Sequence, residues 1–310
     1  MSPLAALWRW QTARRLRTPP RYTAPVPVIC IGNLNVGGTG KTPVVQDLVT
    51  GLAEKGLRPV VLSRGYGGQI AGPVAVVPAD HTARDVGDEP LLLAQFTPVW
   101  VARDRAMGAR AVVEAGAGDV IVLDDGFQNP TLAKDLSVLV VDAERGFGNG
   151  RVMPAGPLRE PVAAGLSRAA ALVTMGPASP GRQLAQSLGP QAPPHLSGEL
   201  APLQTGLSLA GAPVIAFAGI GRPERFFASL RDQGADLIAT HPLADHAPLA
   251  DAFLRRVIQD ARARGARVMT TEKDAMRLPD WARREVQVLP VRVQWHGQNL
   301  MEFCATALGL

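Results

Sequence analysis

No stretch limits the folds open to this chain more than Val28-Ile29-Cys30-Ile31-Gly32-Asn33-Leu34-Asn35-Val36-Gly37-Gly38-Thr39-Gly40-Lys41-Thr42. The β-branched run at 28–31 reads as a strand and the glycines at 37–40 as a turn. Gly40-Lys41-Thr42 then opens a segment with helical spacing. Strand, turn and helix in this order make a P-loop, in which turn amides and the positive helix end converge on phosphate oxygens. Gly37, Gly38, Thr39 and Gly40 would supply those amides. Lys41 would reach the β- and γ-phosphates, and the Thr42 hydroxyl would ligate Mg²⁺. The strict motif asks for glycine at position 35, where this chain has Asn35. Asn tolerates positive φ better than most residues, so the turn is expected to form. A nucleoside triphosphate is the expected ligand.

The 310 residues suffice for one large or two medium domains with real cores. Cys30 and Cys304 lie far apart, with neither zinc spacing nor a disulfide framework, and the five histidines do not cluster as metal ligands. No run approaches the roughly 18 apolar residues of a membrane span. A net charge of +5 favours phosphate-bearing partners, whether nucleotide, nucleic acid or anionic lipid. The charge is concentrated at the start: residues 1–21 hold Arg9, Arg14, Arg15, Arg17 and Arg21 and no acidic residue. Leu4, Leu7, Trp8 and Leu16 can share a helical stripe, with Trp10 as a second indole. That pattern reads as a segment lying in an anionic membrane interface, as a basic helix packed on the protein itself, or as an import-type leader.

Downstream, near-continuous apolar runs at 59–62, 98–101, 120–123 and 136–141 alternate with helical segments at 43–55, 89–95 and 105–115. Buried strands alternating with helices predict a mainly parallel sheet covered on both faces, with functional groups at the carboxyl ends of its strands. Residues 176–198, rich in Pro, Gly, Ser and Gln, read as an interdomain connection. Further runs at 214–217, 237–240, 268–270 and 286–291 predict a second, smaller α/β domain. The expected division is 1–185 for the P-loop domain and 186–310 for the smaller one.

Asp124 and Asp125 end the apolar run 121–123, where a P-loop protein carries the carboxylate that holds Mg²⁺. Neighbouring side chains on a strand point oppositely, so the two are expected to differ in role. Gln128 lies just beyond, in reach of a phosphate or a water. Asp88 and Glu89 precede Pro90 at a helix start, which suits either capping or a general base beside a metal. Asp245-His246 pairs a carboxylate with an imidazole on a loop. Thr270-Thr271-Glu272-Lys273-Asp274 ends a strand in polar groups that either face a cleft or form a turn. Gly219-Ile220-Gly221 lacks the third glycine of a dinucleotide site, since Glu224 stands there. The long loop 148–161 carries Arg159 and Glu160, candidates to touch phosphate, metal or substrate, or simply a surface ion pair.

In this order the motifs resemble those of the tetraacyldisaccharide 4′-kinases, the lipid A 4′-kinases of Gram-negative bacteria. The resemblance runs through Gly37-Gly38-Thr39-Gly40-Lys41-Thr42, Ser63-Arg64-Gly65-Tyr66-Gly67-Gly68, Val86-Gly87-Asp88-Glu89-Pro90 and Asp124-Asp125-Gly126-Phe127-Gln128. It continues through Gly148-Asn149-Gly150, the segment 154–161, Ala218-Gly219-Ile220-Gly221, Asp245-His246 and Thr271-Glu272-Lys273-Asp274. It implies a two-domain P-loop kinase at the cytoplasmic face of the inner membrane. Such an enzyme uses ATP and Mg²⁺ and phosphorylates the 4′-hydroxyl of a tetraacylated disaccharide 1-phosphate, the lipid A precursor. By the same resemblance Asp88 matches the base and His246 its partner. Lys41 and Thr42 match the phosphate and Mg²⁺ ligands, and Glu89, Asp124, Asp125, Gln128, Arg105 and Glu160 match other polar site positions. The family usually carries His where this chain has Asn129, and its N-terminal apolar segment is longer.

Other readings of a P-loop fit less well. Partitioning and metal-insertion ATPases carry a lysine before the paired glycines, where Val36 stands. A nucleotide-switched membrane adaptor would bind ATP with no lipid acceptor. A nucleic-acid-binding ATPase suits the charge, but with 5% aromatic residues the chain lacks stacking platforms, so no nucleic acid partner is expected.

Overall fold

The computed structural model describes residues 3–206 and 208–310. Met1 and Ser2, at the start of the basic N-terminal segment, lie outside them. That segment forms helix α1 (Pro3–Leu16), which precedes the first strand. Eight strands follow along the first two thirds of the chain: β1 (Val28–Gly32), β2 (Pro59–Ser63), β3 (Val74–Ala75), β4 (Val99–Val101), β5 (Val120–Asp124), β6 (Leu136–Asp142), β7 (Ala171–Met175) and β8 (His195–Pro202). Then come β9 (Pro213–Ala218), β10 (Asp236–Pro242), β11 (Arg267–Thr271), β12 (Val286–Leu289) and β13 (Val291–Trp295).

Among the described residues, nine strands form one sheet in the order β13-β8-β7-β6-β1-β5-β2-β4-β3, and four form a second in the order β10-β9-β11-β12. The large sheet is parallel from β8 through β4, with antiparallel strands at its two edges. Every residue of β1, β2, β5 and β7 is buried. Alternate residues serve opposite faces: Ile29 and Ile31 enter one core, Val28 and Cys30 the other. Helix α2 (Lys41–Glu54) lies in the first core through Val44, Val45, Leu48, Val49 and Leu52. The small sheet is likewise parallel and sandwiched, Val214, Ala216 and Ala218 on one face and Ile215 and Phe217 on the other.

Two sequence expectations are corrected here. Residues 176–198 are no connection: they hold a helix, Ala178–Ser187, and the start of β8, which pairs in parallel with β7. The run 286–291 is two strands, because Pro290 has no N–H for a ladder and fixes its own φ. Val286–Leu289 stays beside β11, whereas β13 turns back to pair antiparallel with β8, Val291 opposite Pro202. Trp295 then donates its indole N–H to Asp47 of α2 at 2.9 Å, and helix Leu300–Leu308 packs on the same helix. The sheets therefore do not divide at 185/186. The chain leaves the large sheet after β8 and re-enters it at β13.

Candidate active site

Parallel strands deliver their carboxyl ends to one edge, and the carboxyl-end loops of the two sheets meet over a cavity of about 530 Å³. The tips touch closely: a Cβ on Gly221, after β9, would lie 3.7 Å from Cα of Gly38. Gly38, Thr39, Gly40, Lys41 and Thr42 line the cavity from one side, Ile220, Gly221 and Lys273 from the other.

The loop after β1 has the phosphate-binding form the sequence predicts. Gly37 and Gly40 hold φ of 103° and 85°, and Gly40 caps α2 without a side-chain hydrogen bond, which leaves the first amides of the helix free for an anion. Asn35 does not take positive φ. It is buried, with its amide donating to the Gly146 carbonyl at 3.2 Å, so it ties the loop to the segment after β6. Asn33 braces the turn from inside, donating to Thr39 Oγ1 at 3.0 Å.

Asp124 and Asp125 differ as expected. Asp124 ends β5 directly beside Ile31 of β1 and is buried. Its Oδ2 accepts from Ser63 Oγ at 3.1 Å, while its buried Oδ1 has no partner. Burial, reinforced by the charges of Glu89 and Asp125, pushes its carboxyl well above the usual range. Asp125 sits at a φ of 55° and faces cations, with Arg159 at 2.8 Å and Lys41 Nζ at 3.7 Å. Burial would raise its carboxyl, but Lys41 and Arg159 more than offset that and hold it low.

Three predicted contacts stand behind the cavity instead of lining it. Glu160 is buried between Arg168 Nη2 at 2.5 Å and Gln128 Nε2 at 2.9 Å, so its carboxylate is spent on those donors and not on a metal. Gln128 also donates to the Asn33 carbonyl, which turns it into a strut under the P-loop. Arg105, the first residue of a helix after β4, donates to the Ala102 and Asp124 carbonyls and supports β5 from behind. Asn129 closes its own turn by accepting from the Thr131 amide and hydroxyl, both at 2.8 Å.

The second chemical centre joins the two sheets. Gly87, at φ 94°, precedes the short helix Asp88–Leu93; a Cβ there would stand 2.6 Å from the Tyr66 carbonyl oxygen. Asp88 is buried, and His246 Nδ1 reaches its carboxylate at 3.1 and 3.0 Å although 158 residues separate them. Arg277 Nε stands 3.6 Å from the same carboxylate. Burial pushes the Asp88 carboxyl up, but the His246 hydrogen bond and the charges of Lys273 and Arg277 outweigh it and leave it below the ordinary range. The Asp88 hydrogen bond raises the His246 imidazole against its burial and the Lys273 charge. Glu89 lines the cavity beside this pair and meets Lys273 Nζ at 3.2 Å.

Sequence reasoning passed over a bridge between the units. Arg222, just before a helix of the small unit, and Arg225 within it grip Asp142 at 2.8 and 3.1 Å and Glu144 at 2.7 and 2.6 Å. The available signal was a Gly-Ile-Gly-Arg run at a strand end, set aside once the dinucleotide reading failed. Arg277 and the role of Lys273 were also missed, since a polar run at a strand terminus is most often only a turn.

Comparison with known proteins agrees with this geometry. The family model described as tetraacyldisaccharide-1-P 4′-kinase, LpxK, matches residues 1–308. The chain belongs to this kinase family. Tetraacyldisaccharide 4′-kinases of Dinoroseobacter shibae and Jannaschia sp. are 58% and 57% identical to it, over 94% and 95% of this chain and 87% and 90% of theirs. A crystal structure described as the "apo" form of Aquifex aeolicus LpxK in complex with ATP superposes with a TM-score of 0.75 at 26% identity, covering 98% of this chain and 97% of that one. Membership in the tetraacyldisaccharide 4′-kinases makes the chain a phosphotransferase of lipid A biosynthesis. The expected α/β P-loop fold holds as well.

Proposed function

We propose that this chain transfers the γ-phosphoryl group of ATP to the 4′-hydroxyl of a tetraacylated disaccharide 1-phosphate, giving lipid IV-A. The observation that carries the assignment of roles is the Asp88–His246 contact, which opens beside a P-loop cavity large enough for a nucleotide and part of an acceptor. Asp88 is the general base. Its carboxylate accepts the proton of the 4′-hydroxyl as that oxygen bonds to the γ-phosphorus, and ADP leaves with the electrons of the broken P–O bond. His246, contributed by the small unit, orients that carboxylate. Lys41, together with the amides of residues 37–42, stabilises the charge spread over the transferred group. Arg159 holds Asp125 beside Lys41 and so fixes the ammonium against the phosphates.

Among the described residues no cluster of three or more His, Cys, Asp or Glu is arranged to hold a metal alone. A triphosphate-bound Mg²⁺ needs only one or two carboxylates, since phosphates and waters complete its shell. The partnerless, buried Oδ1 of Asp124 and the hydroxyl of Thr42 are hard oxygen donors that suit it. Asp125 and Glu89, each already facing a cation, flank that position. When bound, the ion would neutralise charge on the β- and γ-phosphates.

Helix α1 supports a peripheral membrane reading. It docks on the large unit through Trp8, which donates its indole N–H to the Arg159 carbonyl at 2.8 Å, and leaves Leu4, Leu7 and Trp10 exposed. No described helix is long and apolar enough to cross a bilayer. We assign α1 to the anionic surface of the inner membrane's cytoplasmic face, where tryptophan and arginine are favoured at headgroup depth. The small unit, spanning β9 to β12, contributes to the acceptor site.

The test is label transfer from γ-labelled ATP to tetraacyldisaccharide 1-phosphate in detergent with Mg²⁺, beside Lys41→Ala. Label at the 4′ position that is lost in the variant is the expected result. Hydrolysis independent of acceptor, with no labelled lipid, overturns the reading.

A further inference from the structure

The two ring nitrogens of His246 face opposite chemistry. Nδ1 meets the Asp88 carboxylate at 3.1 and 3.0 Å, whereas Nε2 meets the ammonium of Lys273 at 3.2 Å. A second carboxylate, Asp245, lies on the Nε2 side at 3.8 Å, beyond hydrogen-bond range. One imidazole thus stands between two carboxylates, and each favours the ring proton on its own side. Lys273 decides between them. An ammonium has three donors and no acceptor, so an Nε2 in contact with it must be the unprotonated, accepting nitrogen. The proton then sits on Nδ1 and is donated to Asp88.

Lys273 is well placed to hold this choice. Its Nζ also meets Asp245 Oδ1 at 3.4 Å, which occupies the competing carboxylate, and Glu89 Oε1 at 3.2 Å, which anchors the ammonium from the large unit. The ring has little freedom to escape. His246 is at φ 59°, its amide donates to the Gly219 carbonyl at 3.3 Å, and its ring meets Tyr66 edge to face at 5.6 Å. A non-glycine residue in the left-handed region is held there by its surroundings.

We propose that Lys273 is a positioning residue: it selects the Nδ1–H tautomer of His246 and so aims the imidazole proton at Asp88. The kinetic consequence rests on the reading of Asp88 as the base, but the choice of tautomer does not.

Two-bond ¹H–¹⁵N spectra of the full chain carrying ¹⁵N-histidine, at alkaline pH where the ring is neutral, read the tautomer directly. Loss of signals in His246→Gln assigns the residue. The expected wild-type pattern is protonated Nδ1 and bare Nε2. In Lys273→Met the population shifts toward Nε2–H, and kcat falls about 10- to 100-fold while the KM for ATP stays within about twofold. Lys273→Arg, which keeps donors and charge, restores the tautomer and most of kcat; Lys273→Ala repeats the measurement should the methionine variant misfold. An unshifted tautomer in Lys273→Met or Lys273→Ala, or Nε2–H already dominant in the wild type, overturns the proposal even if turnover falls. Near-wild-type turnover of Asp88→Asn refutes the base assignment instead, and leaves the spectroscopic result standing.

Discussion

At the edge of the large sheet, the groups of the nucleotide end sit on strands or in the turn that follows one. Lys41 opens α2 nine residues after the end of β1, and Asp124 is itself the last residue of β5, in register with Ile31 of β1. The small sheet presents its groups differently. Asp245 and His246 lie in a loop, His246 has strained φ, and Lys273 is on a helical turn; His246 and Lys273 are held by side-chain contacts to the other unit. The proposed phosphate site is built from backbone anchored in the sheet. The proposed proton-handling pair is built from contacts that exist only while two units stay in place. The division suits phosphoryl transfer, in which charge must be met by fixed dipoles while the acceptor has to enter and leave.

Substitutions can sharpen or break this contrast. The largest effect is expected at the rigid edge: Lys41→Ala should lower kcat about 10³- to 10⁵-fold, read by label transfer at saturating acceptor. Next comes Asp88→Asn, with a loss of about 10²- to 10⁴-fold in kcat and an ATP KM little changed, because the nucleotide edge is untouched. Equal damage to ATP binding would erase the separation between the two regions.

His246→Gln should cost about 10- to 100-fold and also move a pH limb. His246 helps hold the folded-state carboxyl of Asp88 below its ordinary value, so the proposed base stays ionised into mildly acidic solution. Without the imidazole that carboxyl rises, protonation begins at higher pH, and the acid limb of the kcat profile should shift upward. A limb that does not move would mean that Arg277 and Lys273 alone set the carboxyl.

Replacing Arg14 and Arg15 of α1 by alanine should weaken binding to anionic vesicles by about 1 kcal/mol per charge, measured by sedimentation, and leave turnover on detergent-dispersed acceptor unchanged. The smallest effect is at the bridge. Arg222→Ala removes one of two guanidiniums from buried Asp142, and Arg225 remains. A loss of about 1 kcal/mol in thermal unfolding is expected, diminishing with added salt.

Legibility in the sequence followed the same divide. The P-loop, the strand ending in Asp124 and the alternation of buried strands with helices are local patterns, and each is where the sequence places it. Arg105, Gln128 and Glu160 carry the right chemistry at the right spacing, yet they turn inward to carbonyls and to one another. Nothing local marks that difference, because whether a polar side chain lines a cavity or props it from behind depends on what packs against it. The fate of 291–308 was equally hidden. Pro290 announces a break, but not that the chain returns to β8.

The sequence by itself determined the nucleotide end of this kinase. A glycine-rich turn between a buried strand and a helix has few ways to satisfy its φ angles and its free amides. Tertiary structure alone decided the end where we propose the proton is handled. Asp88, His246 and Lys273 are separated by long stretches of chain, and their charges acquire partners, orientation and shifted basicity only when two sheets bring their carboxyl edges together.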